Sequence, residues 1–379
     1  MQLGVRSHDT PGGIFGVRSA LSYDIVATIG EKASVAINPL PTVPLDKTKA
    51  ALGNSRDAVA EIERIGASIR AAQAAIGRVI FGQERVIEQV LITLLASGHA
   101  LLIGVPGLGK TKLVETLGIV LGLDAKRVQF TPDLMPADIL GSEVLEESES
   151  GRRSFRFISG PVFCQLLMAD EINRASPRTQ SALLQAMQEG RVSVAGHYHP
   201  LPVPFHVLAT QNPLEQEGTY PLPEAQLDRF LLQVDVEYPD RAAERDIMLK
   251  TTGPEDRRPE RAMTADDLIA AQKVVRRIPV GESVTEAILT LVRAGRPDSS
   301  DIPEVREFVA WGPGPRASQA LMLGVRARAL MDGRFAPSID DVLALAAPIL
   351  RHRMALSFAA RAEGTTIDRI IGRLIQTVA

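Results

Sequence analysis

Apolar residues in the first half of the chain follow two different patterns. From Ser55 they recur every three or four residues, or at multiples of that spacing, which predicts an amphipathic helix to about residue 80. A second helix is expected over 84–97. A short apolar run at 99–105 follows, and such a run is typical of a parallel strand buried on both faces. The candidate strands are 99–105, 127–130, 165–172, 205–211 and 230–236.

Helical patterns separate several of these strands, and from Pro239 onward only helical patterns remain. The alternation predicts an α/β domain with a parallel sheet and helices on both faces, here assigned to residues 55–238. Residues 239–379 are predicted to form a separate helical domain. Two stretches, 142–160 and 191–203, have the pattern of hairpins inserted into the sheet domain.

Composition is that of a soluble globular protein, with 45% hydrophobic and 23% charged residues. Residues 1–54 show no sustained period and are expected to be a poorly ordered extension. The formal net charge of −3 argues against binding nucleic acid through bulk electrostatics. Aromatic residues make up 4%, which leaves few platforms on which bases could stack. No nucleic-acid partner is therefore expected.

The sequence favours a cytoplasmic protein without a membrane span. Residues 89–109 carry no acid, lysine or arginine and are long enough to cross a bilayer. Gly98 and His99 interrupt this stretch, however, and its end is rich in glycine and proline, so a helix, a turn and a strand are predicted instead. The single cysteine, Cys164, cannot form an intrachain disulfide, which favours a reducing compartment.

The stretch GVPGLGKTK, residues 104–112, joins a predicted buried strand to a predicted helix. Glycines at this spacing let backbone N–H groups approach phosphate oxygens, and the helix N-terminus attracts the same anion. Lys110 is expected to contact the β- and γ-phosphates of a nucleotide, and Thr111 to ligate Mg²⁺. The loop alone leaves kinases, GTPases and ATPases open. The predicted nucleotide-binding residues are Gly104, Val105, Pro106, Gly107, Leu108, Gly109, Lys110, Thr111 and Lys112.

Polar residues end two other predicted strands. Asp170 and Glu171 follow an apolar run, and Asp170 is expected to hold Mg²⁺ through water. Glu171 is expected to activate the attacking water. Asn212 ends the next strand at the same edge of the sheet, where it is expected to orient that water or contact the γ-phosphate.

Two arginines are candidates for phosphate contacts outside the loop. Arg229 precedes a predicted strand, and Arg316 lies in the first turn of a predicted helix, where the helix dipole disfavours a cation. A nearby phosphate would account for an arginine in that place. The alternative for each is a surface ion pair, which contributes little stability. Arg174 and Arg178 are weaker candidates.

Long segments of the chain resemble the MoxR family of AAA+ ATPases, over about residues 68–360. The matching blocks are 81–90, 104–111, 129–144, 160–194, 209–230 and 312–321. The resemblance implies the P-loop NTPase fold, with an αβα core and a C-terminal helical lid, assembled as a homo-oligomeric ring, often a hexamer. It implies ATP and Mg²⁺ as ligands, located between the core, the lid and a neighbouring subunit.

The resemblance also assigns roles to single residues. Asn212 matches the sensor-1 position and Arg316 the sensor-2 position. Arg229 matches the arginine finger, which contacts the ATP bound by a neighbouring subunit. Whether Arg229 or another arginine is the finger, and whether Arg316 acts within its own subunit, stay open. The two hairpins match inserts that project toward the pore or the client in related rings.

The function implied is that of a chaperone that matures partner complexes or inserts metal cofactors, with partners that carry von Willebrand factor A domains. A nucleic-acid-stimulated motor is one alternative, but residues 191–203 contain one arginine and no lysine. A nucleotide switch with little hydrolysis is another, and the presence of Glu171 argues against it. A metal-chelatase subunit is a third.

Overall fold

The computed structural model describes residues 45–147, 153–215, 217–253 and 258–378, with the side chains of 45–58 excepted. Residues Ala51–Ala379 form one compact unit. The expectation for residues 1–54 therefore falls mostly outside the described residues, although the first helix begins at Leu45 rather than at residue 55.

The secondary-structure elements are numbered here in chain order. The helices are α1 Leu45–Gly77, α2 Glu84–Leu95, α3 Lys110–Val120, α4 Pro136–Leu140, α5 Pro177–Glu189, α6 Glu224–Leu227, α7 Arg241–Thr251, α8 Ala265–Arg277, α9 Glu282–Ala294, α10 Pro303–Phe308, α11 Pro315–Met331, α12 Ile339–Leu350, α13 Phe358–Ala362 and α14 Ile367–Ile375. The strands are β1 Ala100–Ile103, β2 Ala125–Gln129, β3 Gly141–Glu147, β4 Arg153–Ser159, β5 Leu166–Asp170, β6 Arg191–Val194, β7 His197–Pro200, β8 His206–Gln211, β9 Leu232–Asp235, β10 Val309–Trp311 and β11 Ala355–Leu356.

The five predicted strands form one parallel sheet in the order β2-β5-β8-β1-β9. Their carboxyl ends are nearly level, since Gln129 lies opposite Asp170 and Ile103 opposite Gln211. In a parallel sheet of this kind ligands bind at that edge. The register therefore brings the polar residues at the strand ends to one place.

Alternate residues of the strands enter two separate hydrophobic clusters, which makes the core a three-layer αβα sandwich. Leu102 and Leu208 pack with α2, α3 and the helices of the C-terminal part. Leu101 and Val207 face the opposite side and pack against α5. Cys164 is buried in this second cluster, and burial raises the pKa of its thiol to about 12. Burial on both faces explains why β1 and β5 are largely apolar, whereas the edge strand β2 is mostly exposed and carries Lys126 and Arg127.

Both predicted hairpins are present as antiparallel pairs, β3 with β4 and β6 with β7. Ala195 and Gly196 form the tip of the second with φ angles of 48° and 84°. The ring of Phe157 stacks on His199 with 3.8 Å between centroids, so the two hairpins contact each other. Neither hairpin joins the central sheet.

The C-terminal part is helical, as predicted, with one exception. The prediction that strands stop at Pro239 is wrong, because β10 and β11 form a short antiparallel pair. Strands of three and two residues are too short to show a period of two. The apolar stretch 89–109 forms α2, a turn and β1, and within the described residues no helix has the length and apolarity needed to span a bilayer.

Candidate functional site

The phosphate loop connects β1 to α3 and needs glycine for two different reasons. Gly104 packs against the residue after β9, and a Cβ added to it would lie 2.6 Å from the carbonyl oxygen of Val236. Gly109 immediately precedes α3 with a φ of 76°, which residues with side chains rarely adopt. The loop is thus packed closely at its start and turns through a left-handed residue at its end.

Lys110 is the first residue of α3, and its side chain reaches back across the loop. Nζ donates hydrogen bonds to the carbonyl oxygens of Gly104 and Val105, at 2.5 and 3.0 Å. Partial burial lowers the pKa of Lys110, while the negative charges of Asp170 and Glu171 oppose that shift. The ammonium group is therefore within electrostatic reach of both carboxylates.

Asp170 is the buried last residue of β5, and both of its carboxylate oxygens have partners. Oδ1 accepts a hydrogen bond from the Thr210 hydroxyl of β8 at 2.5 Å. The same hydroxyl accepts one from the backbone N–H of Glu171 at 2.8 Å. Oδ2 accepts from Arg127 of β2, whose Nη2 lies 2.6 Å away. The neighbouring strands therefore fix the orientation of this buried carboxylate.

Glu171 follows β5 with the left-handed angles φ 54° and ψ 50°. Its Oε2 accepts hydrogen bonds from Gln129 Nε2 at 2.7 Å and from Arg174 Nη1 at 3.0 Å. Residues held in sparsely populated backbone conformations are found frequently at active sites. The carboxylate is held beside the phosphate loop, as a general base for an attacking water would have to be.

These groups line one cavity of about 470 Å³, formed by Pro106 to Lys112 together with Asp170, Glu171 and Asn212. Asn212 is buried directly after β8, and its Oδ1 accepts from the backbone N–H of Leu214 at 3.1 Å. The amide is thereby held at the cavity wall. Gly104 and Val105 are not part of the lining, and their carbonyl groups hold Lys110 instead.

Thr111 and Asp170 suit a magnesium ion in different ways. Thr111 lines the cavity, and its hydroxyl makes no hydrogen bond to any other described residue, so its oxygen is available as a ligand. Asp170 is already paired with Arg127 and Thr210. This pairing suits a carboxylate that acts through a water molecule more than one bound directly to the metal.

A second cavity, of about 180 Å³, shares Gly107 to Gly109 and Lys112 with the first. Its other walls come from residues 79–81, which precede α2, and from Pro239 and Ile247 at α7. A mainly apolar cleft beside a phosphate loop suits a nucleobase. No apolar periodicity points to this site, because its walls come from two loops and one exposed helix.

Arg229 and Arg316 lie elsewhere. They line a third cavity, of about 250 Å³, together with Asp228, Arg276 and Arg353. Arg316 Nη1 lies 3.6 Å from Asp228 Oδ2, and the buried Nε of Arg229 has no hydrogen-bond partner. This cavity and the phosphate-loop cavity share no lining residue. The structure therefore brings Lys110, Thr111, Asp170, Glu171 and Asn212 together and leaves both arginines apart from them.

Comparisons with known proteins identify the family. The family model for the "ATPase family associated with various cellular activities (AAA)" matches residues 99–232, and an AAA lid domain matches 304–374. Chaperone MoxR1 of Mycobacterium tuberculosis is 42% identical over 80% of this chain and 79% of its own length. Protein MoxR of Paracoccus denitrificans is 32% identical over 77% of this chain and 89% of its own.

The chain belongs to the MoxR family of AAA+ ATPases. A crystal structure of a Cytophaga hutchinsonii protein, provisionally described as an ATPase, agrees with the fold. It has a TM-score of 0.78 and 34% identity, and the match covers 86% of this chain and 98% of that one. The α/β P-loop core and the C-terminal helical lid predicted from the sequence are confirmed.

Three polar side chains at the site of this MoxR-family protein were missed by sequence reasoning. From β2, Arg127 contacts the carboxylate of Asp170 and Gln129 that of Glu171, and from β8 Thr210 contacts the carboxylate of Asp170. Arg127 and Gln129 are two residues apart in a predicted strand and therefore share a face, which is a readable signal. Their partner strand, β5, is set by the sheet order and could not be read from the pattern.

Proposed function

We propose that copies of this chain hydrolyse ATP with Mg²⁺ at the interface between neighbours and use the reaction to remodel partner proteins. The observation that carries the proposal is the separation of the site into two cavities. The phosphate-loop residues line one, and Arg229 and Arg316 line another that shares no residue with it. An arginine that stabilises a transferring phosphoryl group must reach it, so these two would serve a nucleotide held by another copy.

In the phosphate-loop cavity each residue has a distinct part. Lys110 would bind the β- and γ-phosphates, since its ammonium group already bridges two loop carbonyls at the helix N-terminus. Thr111 would ligate Mg²⁺, and Asp170 would hold it through water; the ion would neutralise phosphate charge. Glu171 would accept the proton of the attacking water. Asn212 would hold the γ-phosphate or that water.

The charge of the third cavity supports its part in the proposal. Arg229, Arg276 and Arg316 line it, whereas Asp228 is the acidic residue in its lining. Guanidinium groups in excess of carboxylates suit a polyphosphate, because each fork donates paired hydrogen bonds to phosphate oxygens. This arrangement would place both Arg229 and Arg316 in trans.

Remodelling of proteins is supported by the relative described as a chaperone and by the surface of the first hairpin. Leu145 and Phe155 lie opposite each other in β3 and β4, and their side chains are 55% and 72% exposed. Exposed apolar side chains on an inserted hairpin suit contact with a client. A six-membered ring, a partner with a von Willebrand factor A domain and insertion of a metal cofactor are finer predictions of this proposal.

Mixed assemblies test the proposal. Glu171→Gln removes the base but keeps the arginines, and we expect turnover to fall by about 10²–10⁴-fold. Arg229→Ala keeps the phosphate-loop cavity, and we expect a fall of about 10³–10⁵-fold. Random co-assembly of equal amounts should restore about a quarter of the wild-type rate, because one interface in four then combines an intact base with an intact arginine.

Two results would count against the proposal. Failure of the mixture to recover, with both variants assembled normally, would show that Arg229 does not act on a neighbour's nucleotide. Unchanged turnover in Glu171→Gln would favour the nucleotide switch instead. A control mixture of wild-type protein with Arg78→Ala, which alters an exposed arginine outside the three cavities, should keep the wild-type rate.

A further inference from the structure

Asp228, immediately before Arg229, is shared between two arginines of the lid. Its Oδ1 accepts a hydrogen bond from Arg353 Nε at 2.8 Å. Its Oδ2 lies 3.6 Å from Arg316 Nη1. One core carboxylate therefore contacts two lid arginines of the third cavity, the partly exposed Arg316 and the buried Arg353.

Arg353 is among the largest fully buried side chains of the described residues, with a side-chain exposure of 2%. Its remaining donors go to backbone carbonyl oxygens on either side of Arg229. Nη2 donates to Phe230 at 2.6 Å and to Asp228 at 3.3 Å, and Nη1 donates to Leu231 at 3.1 Å. Nη1 also donates to Ile349 of α12 at 2.7 Å, which ties the guanidinium to the helix that ends just before Arg353.

The buried guanidinium of Arg353 thus holds the backbone turn that carries Arg229 through hydrogen bonds. A lid that shifted relative to this turn would leave several buried donors and acceptors without partners, which is costly in a low-dielectric interior. His352 adds a further bond to the same turn, since its Nε2 donates to the Phe230 carbonyl at 3.0 Å. The position of residues 228–231 is therefore determined by the lid as well as by the core.

We propose that Asp228 and Arg353 form a clasp that positions Arg229 and Arg316 toward the same anion. The inference rests on the proposed function, in which that anion is the triphosphate of a neighbouring copy. Asp228 and Arg353 are positioning residues, because neither needs to touch the nucleotide. Arg353 holds the turn that carries Arg229. Asp228 orients the guanidinium of Arg316 through Oδ2, while Arg353 fixes Oδ1 of the same carboxylate.

Asp228→Asn is the main variant, because asparagine keeps the size of the side chain and an acceptor for Arg353 but loses the charge that holds Arg316. We expect kcat to fall by about a hundredfold, since small misplacements of catalytic groups have effects of that size. KM for ATP should not change, because the phosphate-loop cavity contains neither residue. Arg353→Lys, which keeps the charge but cannot make the forked contacts, should show the same split.

Glu88→Gln is the matched control. Glu88 of α2 pairs with Arg328 of the lid at 2.9 Å, so this variant also removes a core–lid ion pair, but neither residue lines the third cavity. We expect kcat and KM of Glu88→Gln to stay at wild-type values. Thermal unfolding of all three variants would show whether any loss of kcat merely follows a loss of stability.

Co-assembly separates this inference from the proposal on which it rests. Asp228→Asn mixed with Glu171→Gln should recover activity as Arg229→Ala does, because the Glu171→Gln copies supply correctly held arginines. If Arg229→Ala recovers and Asp228→Asn does not, or if Asp228→Asn matches Glu88→Gln in kcat, the clasp is wrong and the interfacial site stands. If Arg229→Ala itself fails to recover, both are wrong. Should Asp228→Asn not fold, Arg353→Lys enters the same mixtures and is judged by the same outcomes.

Discussion

The Thr210 hydroxyl links the two acidic residues of the site: it donates to Oδ1 of Asp170 at 2.5 Å and accepts from the backbone N–H of Glu171 at 2.8 Å. Thr210 is buried within β8, so no bulk water replaces these bonds when the hydroxyl is removed. Thr210→Val keeps the shape of the side chain and leaves Oδ1 of Asp170 without its partner. We expect a loss of about 1–3 kcal/mol in the free energy of unfolding and a marked fall in kcat.

The control for this variant is Thr93→Val. Thr93 is also buried, but its hydroxyl donates to the Gln89 carbonyl one turn earlier in α2, and Thr93 lines none of the three cavities. Chemical denaturation and ATPase kinetics on both variants would separate the two effects. Equal kcat values for Thr210→Val and Thr93→Val would show that the hydroxyl does not organise the site.

Arg276, at the end of α8, is expected to contribute to phosphate binding in trans. It lines the third cavity with Arg229 and Arg316, and no carboxylate pairs with it among the described residues. We expect Arg276→Ala to lower kcat by about 10- to 150-fold, since a charge-assisted hydrogen bond contributes about 1.5–3 kcal/mol. The rate per subunit should be measured over a range of protein concentrations, so that incomplete assembly is distinguished from a loss of catalysis.

The adjacent residue provides a close control for Arg276. Arg277 lies in the same helical turn, but it points to Glu61 of α1, with which it pairs at 3.3 Å on the surface. An exposed pair of this kind contributes at most about 1 kcal/mol. Arg277→Ala should therefore leave kcat unchanged, and equal losses in both variants would contradict a specific role for Arg276.

Two histidines, the partly buried His99 and the buried His206, make the stability of the fold sensitive to acid. Burial lowers the pKa of His99 to about 3 and that of His206 to about 4. His206 Nδ1 donates to the Gly98 carbonyl, and its Nε2 accepts from Gln272 of the lid, so the neutral ring joins core and lid. The unfolded chain binds protons near pH 6.5 and the folded chain does not, so stability falls as the pH drops below 6.5.

The expected loss is on the order of 2 kcal/mol for each of these histidines at about pH 5. Denaturation midpoints measured between about pH 7 and pH 5 would reveal it. His206→Gln, which can still donate and accept, should reduce the slope with pH. His197→Gln changes an exposed histidine on the second hairpin and should leave the slope as it is. A slope unaffected by His206→Gln would contradict this assignment.

Gly104 is expected to tolerate no side chain. A Cβ there would lie 2.6 Å from the Val236 carbonyl oxygen and 2.9 Å from the Val236 Cβ, both parts of the sheet edge. We expect Gly104→Ala to cost about 1–3 kcal/mol and to weaken nucleotide binding by displacing the carbonyl that holds Lys110. Gly372→Ala, in α14 with open space around it, should instead stabilise by about 1 kcal/mol. Titration of a fluorescent ATP analogue would compare the two.

The sheet and the phosphate-loop cavity were predictable because their signals are local. A strand buried on both faces is apolar throughout, and polar residues at strand ends must meet at one edge. The site roles of Thr210, Arg127 and Gln129 were not predicted, because they depend on β2 and β8 flanking β5. That strand order cannot be deduced from any short segment of the sequence. The β10–β11 pair was not predicted for a similar reason, since it joins two short segments that are distant in the sequence.

For Arg229 and Arg316, prediction from the sequence was limited in a different way. The sequence pointed to Arg229 and Arg316 separately, as candidates for phosphate contact. Their association with each other, and their distance from Lys110, follow from how the lid packs on the turn at residues 228–231. That packing depends on Arg353. Its burial is unusual for a charged residue and cannot be recognised from the spacing of apolar residues in the sequence.

The buried thiol of Cys164 has a practical consequence for following this protein in motion. The chain has one cysteine, and a thiol whose pKa is raised to about 12 is scarcely ionised at neutral pH, so maleimide reagents should leave the native protein unlabelled. A cysteine placed at Tyr198, on the exposed second hairpin, would then carry a dye at a single position without any background substitution. Fluorescence from that dye could report hairpin movement during turnover in an otherwise unaltered chain.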